Sequence, residues 1–258
     1  MSPKGRPEGE YRSAQHEGSP MLPARNLLLT GGIVHPFESS APALERVLDG
    51  HGIESTVTDD LEGGLAELAR GGFDLLTIYA LRWSMQDDKY APHRGRWALT
   101  LSAAAREAIV AHLHRGGGLF GVHTASICFD DWPEWRRILG GAWVWGQSGH
   151  PPPGPVQVHI ARPEHPLVLG IGDFTLDDEV YGDLSLERDV VPLIEATAIA
   201  GNRGAHPMLW ERRVGRGRMV YDALGHDAGS IEHPVHARIL ARCALWALGR
   251  SEGDVLRV

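Results

Sequence analysis

Cysteine is scarce: the 258-residue chain has two, Cys128 and Cys243. That is too few for a disulfide-stapled scaffold and fits a reducing compartment. No apolar run is long enough to span a bilayer. The first residues lack the apolar core of a signal peptide, so a cytoplasmic protein is the expectation. Basic excess is also missing. A formal net charge of -8 argues against nucleic acid and anionic membrane as partners. No HExxH or CxxC spacing occurs. The one glycine-rich run, Gly116-Gly117-Gly118, precedes an apolar stretch instead of following one. It reads as a turn closing a helix, and no nucleotide cofactor is expected.

What is present is an ordinary globular composition, 43% hydrophobic and 22% charged, with 14 histidines and 8 tryptophans. Histidine ligates metals and carries protons near neutral pH. Tryptophan can give a pocket a flat wall, although most tryptophans are core.

Residues 1–24 are rich in Gly, Pro, Ser, Glu and Arg without apolar periodicity, and read as a flexible tail. Short apolar runs then alternate with amphipathic ones. Strands are expected at Asn26 to Thr30, Ile53 to Thr58, Phe73 to Tyr79 and Leu119 to Val122. Helices are expected between them: one with Pro42 in its first turn, one capped by Asp59 and Asp60, one from Ser102 to His114. A further helix is expected from Trp132 to Leu139. Leu81 to Arg96 reads as an irregular polar-aromatic loop, a natural lid or pocket wall. This β-α alternation implies a parallel sheet with helices on both faces, so residues 25 to 140 read as a flavodoxin-like half. Beyond it the pattern loosens. Strands are expected at Gly140 to Trp145, Val156 to Ile160 and Val190 to Glu195. A hairpin of Met208 to Arg212 with Arg218 to Asp222 follows, then a closing helix from Pro234 to Leu248. No repeat or clean linker appears, and residues 25–250 read as a single domain.

Three expected strands end near a histidine: His35, His123 and His226. A lone histidine is more often structural than functional. In a parallel sheet, however, the carboxyl ends share one edge, where open α/β proteins place their working groups. Imidazoles meeting there are either metal ligands or an acid–base set. Asp178 and Glu179 add carboxylates, and zinc or a similar divalent ion accepts both donor types. The expected site therefore has His35, His123 and His226 as metal ligands. On the acid–base reading, His123, Glu179 and His226 are the catalytic groups. Ser126 could be a nucleophile but sits too far along its turn to be the elbow residue, and Cys128 reads as a buried structural thiol.

Taken together, these residues resemble the trehalose-utilisation (ThuA-like) family. The resemblance is carried by Gly31-Gly32 with His35, Gly116 through His123, Gly140-Gly141 with His150, and His165-Pro166. It continues through Asp178-Glu179-Val180-Tyr181, Pro207 with Trp210, and Gly215-Arg216-Gly217-Arg218 leading to Leu224-Gly225-His226. These pieces run in order over nearly the whole chain after residue 25. Val180 stands where the family commonly has Leu, and the Arg82 to Trp97 segment has no placed counterpart. The resemblance implies a class I glutamine-amidotransferase-like three-layer sandwich with a mostly parallel central sheet. His123 stands at the elbow where the amidotransferase cysteine would be, which disfavours a working glutaminase. The resemblance further implies sugar metabolism on an oxidised (3-keto) glucoside or a disaccharide such as a trehalose derivative, with Tyr181, Trp83, His150 and Asp178 as substrate contacts. The alternative is a non-catalytic sugar-binding or interaction protein on the same scaffold. A small-molecule sugar is the expected partner, and the sequence leaves open whether the chain forms a homo-oligomer.

Overall fold

A computed structural model describes residues 23–200 and 204–258. The tail expected over residues 1–24 lies outside these, except that Ala24 already opens the first strand. The first half alternates as expected: β1 (Ala24–Gly31), α1 (Phe37–Asp49), β2 (Ile53–Thr58), α2 (Leu61–Arg70) and β3 (Leu75–Ala80). Then come α3 (Ala91–Trp97), α4 (Ala103–Arg115), β4 (Gly118–Val122) and α5 (Pro133–Leu139). The caps are local. The Asp60 carboxylate accepts from Gly63 N at 3.0 Å, and the Ser102 hydroxyl from Ala105 N at 3.1 Å. Gly116 ends α4 in the left-handed region, at φ 100°.

Two expectations change here. α1 begins at Phe37 and carries Pro42 in its interior, not in its first turn. The Pro36 carbonyl accepts from the amides and hydroxyls of both Ser39 and Ser40, which starts the helix early. Phe37, Ala41, Leu44 and Leu48 form its buried stripe, and this packing outweighs the helix bond that Pro42 cannot make. The expected loop at Leu81 to Arg96 instead contains a 3-10 turn, Asp88–Tyr90, and α3. α3 is short and buries no residue, so it leaves no apolar stripe in the sequence.

The second half contains β5 (Gly141–Ala142), β6 (Gly154–Ile160), β7 (Phe174–Asp178), β8 (Ser185–Leu186), β9 (Ile194–Ala198), β10 (His206–Val214) and β11 (Gly217–Asp222). It closes with α6 (Ala228–Glu232), α7 (Pro234–Ala247) and α8 (Glu252–Leu256). The strand expected at Gly140 to Trp145 shrinks to β5, which pairs only with β8. The one expected at Val190 to Glu195 is displaced to β9, where Ile194, Ala196 and Ala198 alternate inward.

The central sheet is a large, mostly parallel one flanked by helices, with nine strands in the order β2-β1-β3-β4-β11-β10-β9-β6-β7. From β2 to β11 every pairing is parallel; from β11 to β7 every pairing is antiparallel. β11 returns to the centre and sets Asp222 opposite Val122, so the residues after both strands emerge side by side. β1 and β3 end level as well, with Gly31 opposite Ala80.

Candidate functional site

Each histidine arrives on a constrained piece of backbone. Gly32 (φ 156°) leads to His35, and a Cβ at Gly32 would lie 2.6 Å from the Leu81 carbonyl, so only glycine fits. Val34, just before His35, is β-branched yet has φ 57°. His123 follows β4 directly at φ 47°, the sharp strand-to-turn geometry that lifts one side chain out of a sheet. Gly225, at φ 112°, precedes His226. Strained non-glycine residues of this kind collect at functional sites because the surrounding packing must hold them.

The three rings converge. His35 Nε2 lies 3.1 Å from His123 Nε2. Glu179 Oε2 lies 3.6 Å from His35 Nε2, 3.4 Å from His123 Nε2 and 3.4 Å from His226 Nδ1. One donor atom from each of these four residues falls within 4.8 Å of all the others, so the cluster could hold a metal ion. The Tyr181 hydroxyl adds contacts of 3.1 Å to His123 Nε2 and 3.5 Å to His35 Nε2. His150, at the more exposed rim, places Nδ1 3.3 Å from Glu179 Oε1.

Supporting bonds orient these groups. His123 Nδ1 donates to the Ala223 carbonyl at 2.7 Å, leaving Nε2 to face the cluster. The Asp178 carboxylate accepts from the amides of Glu179 (2.7 Å), Gly225 (2.8 Å) and His226 (3.2 Å), and from the Ser230 hydroxyl. Its hydrogen bonds thus go to the chain that carries Glu179 and His226. Behind Ser230, His236 donates through Nδ1 to the Ser230 carbonyl at 2.8 Å, and its Nε2 lies 3.3 Å from Asp222 Oδ2. Burial opposes a charge on His236, but Asp222 raises its basicity by more.

Charge at the cluster follows from the same contacts. Burial disfavours an ionised Glu179, yet the imidazoles of His123, His226 and His35, 3.4–3.6 Å from Oε2, hold its carboxyl far below the usual carboxylate range. Glu179 in turn raises the basicity of His226 against burial, while burial lowers that of His35. Burial, with Glu179 nearby, pushes the Tyr181 phenol well up, so it is a neutral donor. Glu179 Oε2 and His226 Nδ1 are buried without a hydrogen-bond partner, as is His35 Nδ1. Buried polar atoms are normally satisfied, so two such atoms facing one centre call for a cation or a ligand.

Two clefts border the cluster. One of about 650 Å³ includes His35, Phe37, Arg96 and Trp97; the other, about 580 Å³, includes His150, Pro152 and Asp178. Trp83 is not among the converging residues. It is buried and packs on Trp145, from which Trp143 leads to Tyr181. Trp143, Trp145, Ser230, Asp222 and His236 escaped sequence reasoning. The Trp143-Val144-Trp145 pair shortly before His150 was the available signal, but it was absorbed into an expected strand. Cys128 packs in the core and donates to the Ala80 carbonyl, and burial pushes its thiol up to about 12.

A parallel-edged α/β sheet carrying a histidine- and carboxylate-rich centre at its carboxyl edge defines the class of protein. The chain belongs to the ThuA family, described as trehalose utilisation, whose sequence model matches residues 25–247. Membership gives it a carbohydrate-related role. Its fold is similar to that of a ThuA-like protein from Parabacteroides merdae ATCC 43184 (TM-score 0.71, 18% identity, 88% of this chain and 91% of that chain). A second ThuA-like protein, from Bacteroides uniformis ATCC 8492, aligns at TM-score 0.63 and 20% identity over 90% of this chain and 95% of its own. The β-galactosidase from Rahnella sp. R3 contains a similar fold: TM-score 0.54, 16% identity, 89% of this chain but 32% of that one. At these identities the likeness speaks for the fold alone. No curated protein matches the chain. Among the described residues no helix is long and apolar enough to cross a membrane.

Proposed function

We propose that the chain is an enzyme acting on an oxidised (3-keto) glucoside or disaccharide. The observation that carries this is the gathering of His35, His123, His226 and Glu179 donor atoms within 4.8 Å at the carboxyl edge of the sheet. The donor set fits zinc or a similar divalent ion. Four ligands at about 2.0–2.1 Å in a tetrahedron sit about 3.3 Å apart. Four of the six spacings here, 3.1, 3.4, 3.4 and 3.6 Å, lie around that value, and all six are within 4.8 Å. A bound divalent ion supplies positive charge that polarises a ketone oxygen. The unpartnered Glu179 Oε2 and His226 Nδ1 would serve as ligands beside His35 Nε2 and His123 Nε2.

The chain's own groups do the rest. The Tyr181 hydroxyl donates toward the reacting oxygen. Glu179 Oε1, shared with the rim imidazole of His150, takes the proton from the carbon beside the ketone and hands it outward. Asp178, expected from sequence to touch substrate, is assigned to holding the His226 loop. The family description favours a sugar over other keto compounds. The buried free cysteines favour a cytoplasmic setting.

The test is proton exchange in heavy water with a panel of 3-keto-glucosides. Deuterium should enter at the carbon next to the ketone with wild type and not with Glu179→Gln. Tight sugar binding without exchange or turnover would instead favour the binding-protein alternative.

A further inference from the structure

We propose that the pocket bounded by Trp83, Tyr90 and Trp145 is a second sugar subsite, holding one pyranose ring of a ligand whose reacting ring lies at the histidine cluster. The inference rests on the reading above that the ligand is a sugar. It adds that the substrate has at least two rings.

The pocket, about 250 Å³, is lined by Trp83, Gln86, Asp87, Tyr90, Asp130 and Trp145. That is small for a ligand site and suits a single ring. A pyranose presents an apolar C–H face and a rim of hydroxyls, and the lining matches both. Trp145 leaves 45% of its surface exposed, unusual for so large an apolar ring. It is supported from below by buried Trp83, centroids 5.6 Å apart at 34°. Tyr90 stands on edge to Trp83, at 4.9 Å and 89°. Around this floor lie two carboxylates and an amide. Both Asp130 oxygens are aimed by Ser84, whose amide and hydroxyl each donate at 2.8 Å. Asp87 is fixed by the Lys89 amide at 3.0 Å. Each carboxylate keeps lone pairs to accept from hydroxyls.

The same rings do not suit an organic cation. They touch one another as floor and wall, instead of surrounding a central point. The Lys89 ammonium already lies 4.9 Å from the Tyr90 centroid and would repel a second positive charge.

Two further observations tie the pocket to function. Among the described residues, the non-glycine residues with positive φ are Val34, Met85, His123, Phe129 and Asp183. Val34 and His123 build the histidine cluster. Met85 precedes Gln86, and Phe129 precedes Asp130, so two more build this pocket. Backbone strain thus concentrates at both places. The aromatic contacts are also continuous. Trp145 meets Trp143 at 6.1 Å, Trp143 meets Tyr181 at 5.3 Å, and Tyr181 stacks on His123 at 4.5 Å. Packed aromatic rings thus connect the wall of this pocket to the cluster.

The test titrates the full-length protein with trehalose and with methyl α-glucoside, following tryptophan emission and calorimetric affinity. Wild type should bind trehalose more tightly than the single-ring glucoside. Trp145→Ala, at a half-exposed position outside the buried core, should weaken trehalose binding about tenfold or more. Asp130→Asn should weaken it by a smaller factor. Unchanged trehalose affinity in Trp145→Ala and Asp130→Asn would overturn the subsite and leave the sugar reading standing. No binding of either sugar to wild type would overturn the subsite too, as would a pocket that takes tetramethylammonium in preference to sugar; the keto-sugar reading is overturned separately, by absence of deuterium exchange on the 3-keto-glucoside panel.

Discussion

The five parallel strands and the four-strand antiparallel wing are buried differently, and they serve the site differently. β3 and β4 are buried at every position, because helices cover both faces. β6 and β9 alternate buried with exposed or half-buried residues, the pattern of a sheet with one wet face. The parallel half supplies His35, His123 and His226 at fixed strand ends. The wing supplies Glu179 and Tyr181 from the chain that leaves β7, and Asp178 ties that chain to the histidine side by accepting from the amides of Gly225 and His226. The lesson is a division of labour. One half fixes the imidazoles, the other brings the carboxylate, and one buried aspartate joins them.

Substitutions can sharpen or break this comparison. The largest effect on stability should come from the doubly covered half. Leu76→Ala should lower unfolding free energy by about 4 kcal/mol, as cavity-forming changes do, whereas Thr175→Ala on the exposed side of β7 should stay within about 0.5 kcal/mol. Equal losses in urea titrations would contradict the contrast. Next, Asp178→Ala should cost about 2–3 kcal/mol, because it strips several buried donors of their acceptor. It should also weaken metal binding roughly tenfold or more, as disturbed supporting contacts do. Normal metal affinity in that variant would show that the two halves do not depend on Asp178 for their join.

A third effect concerns metal uptake. Ligand imidazoles must be neutral to bind, and Glu179 favours a proton on His226 in the free protein. Binding should therefore release protons and weaken as pH falls. Calorimetry in buffers of different ionisation enthalpy reads the proton count. The smallest effect is expected at His236, whose basicity in the folded chain is raised above the ordinary 6.5. Its contribution to stability is complete below that value and is lost as pH rises through the folded value. Replacing it with Gln should flatten the wild-type decline in urea midpoint as pH rises above the ordinary imidazole value.

Much of this was legible in the sequence, and unevenly so. β2 and α2 fall where periodicity and the Asp60 cap place them, and the convergence of the histidines followed from parallel topology alone. The wing was harder to read. β9 was displaced because Val190 and Val191 look as strand-like as Ile194, and only pairing with β6 and β10 decides the register. α3 buries nothing and so left no pattern. Ser230 and His236 carried no motif, since their link to Asp178 depends on α6 and α7 folding back under the sheet edge. Trp83 was singled out for substrate, but its companions Trp143 and Trp145 were not. Their grouping with Tyr90 exists only in three dimensions.

The central claim is that imidazoles from three strand ends and a carboxylate from the wing form one metal-holding centre. Elemental analysis of the purified protein tests it most directly, with His123→Ala and Glu179→Gln beside wild type. The account predicts a stoichiometric divalent ion, or a marked gain in melting temperature when zinc is added, in wild type and in neither variant. Metal-free wild type with no thermal response to divalent ions, or variants that retain the metal, would contradict it.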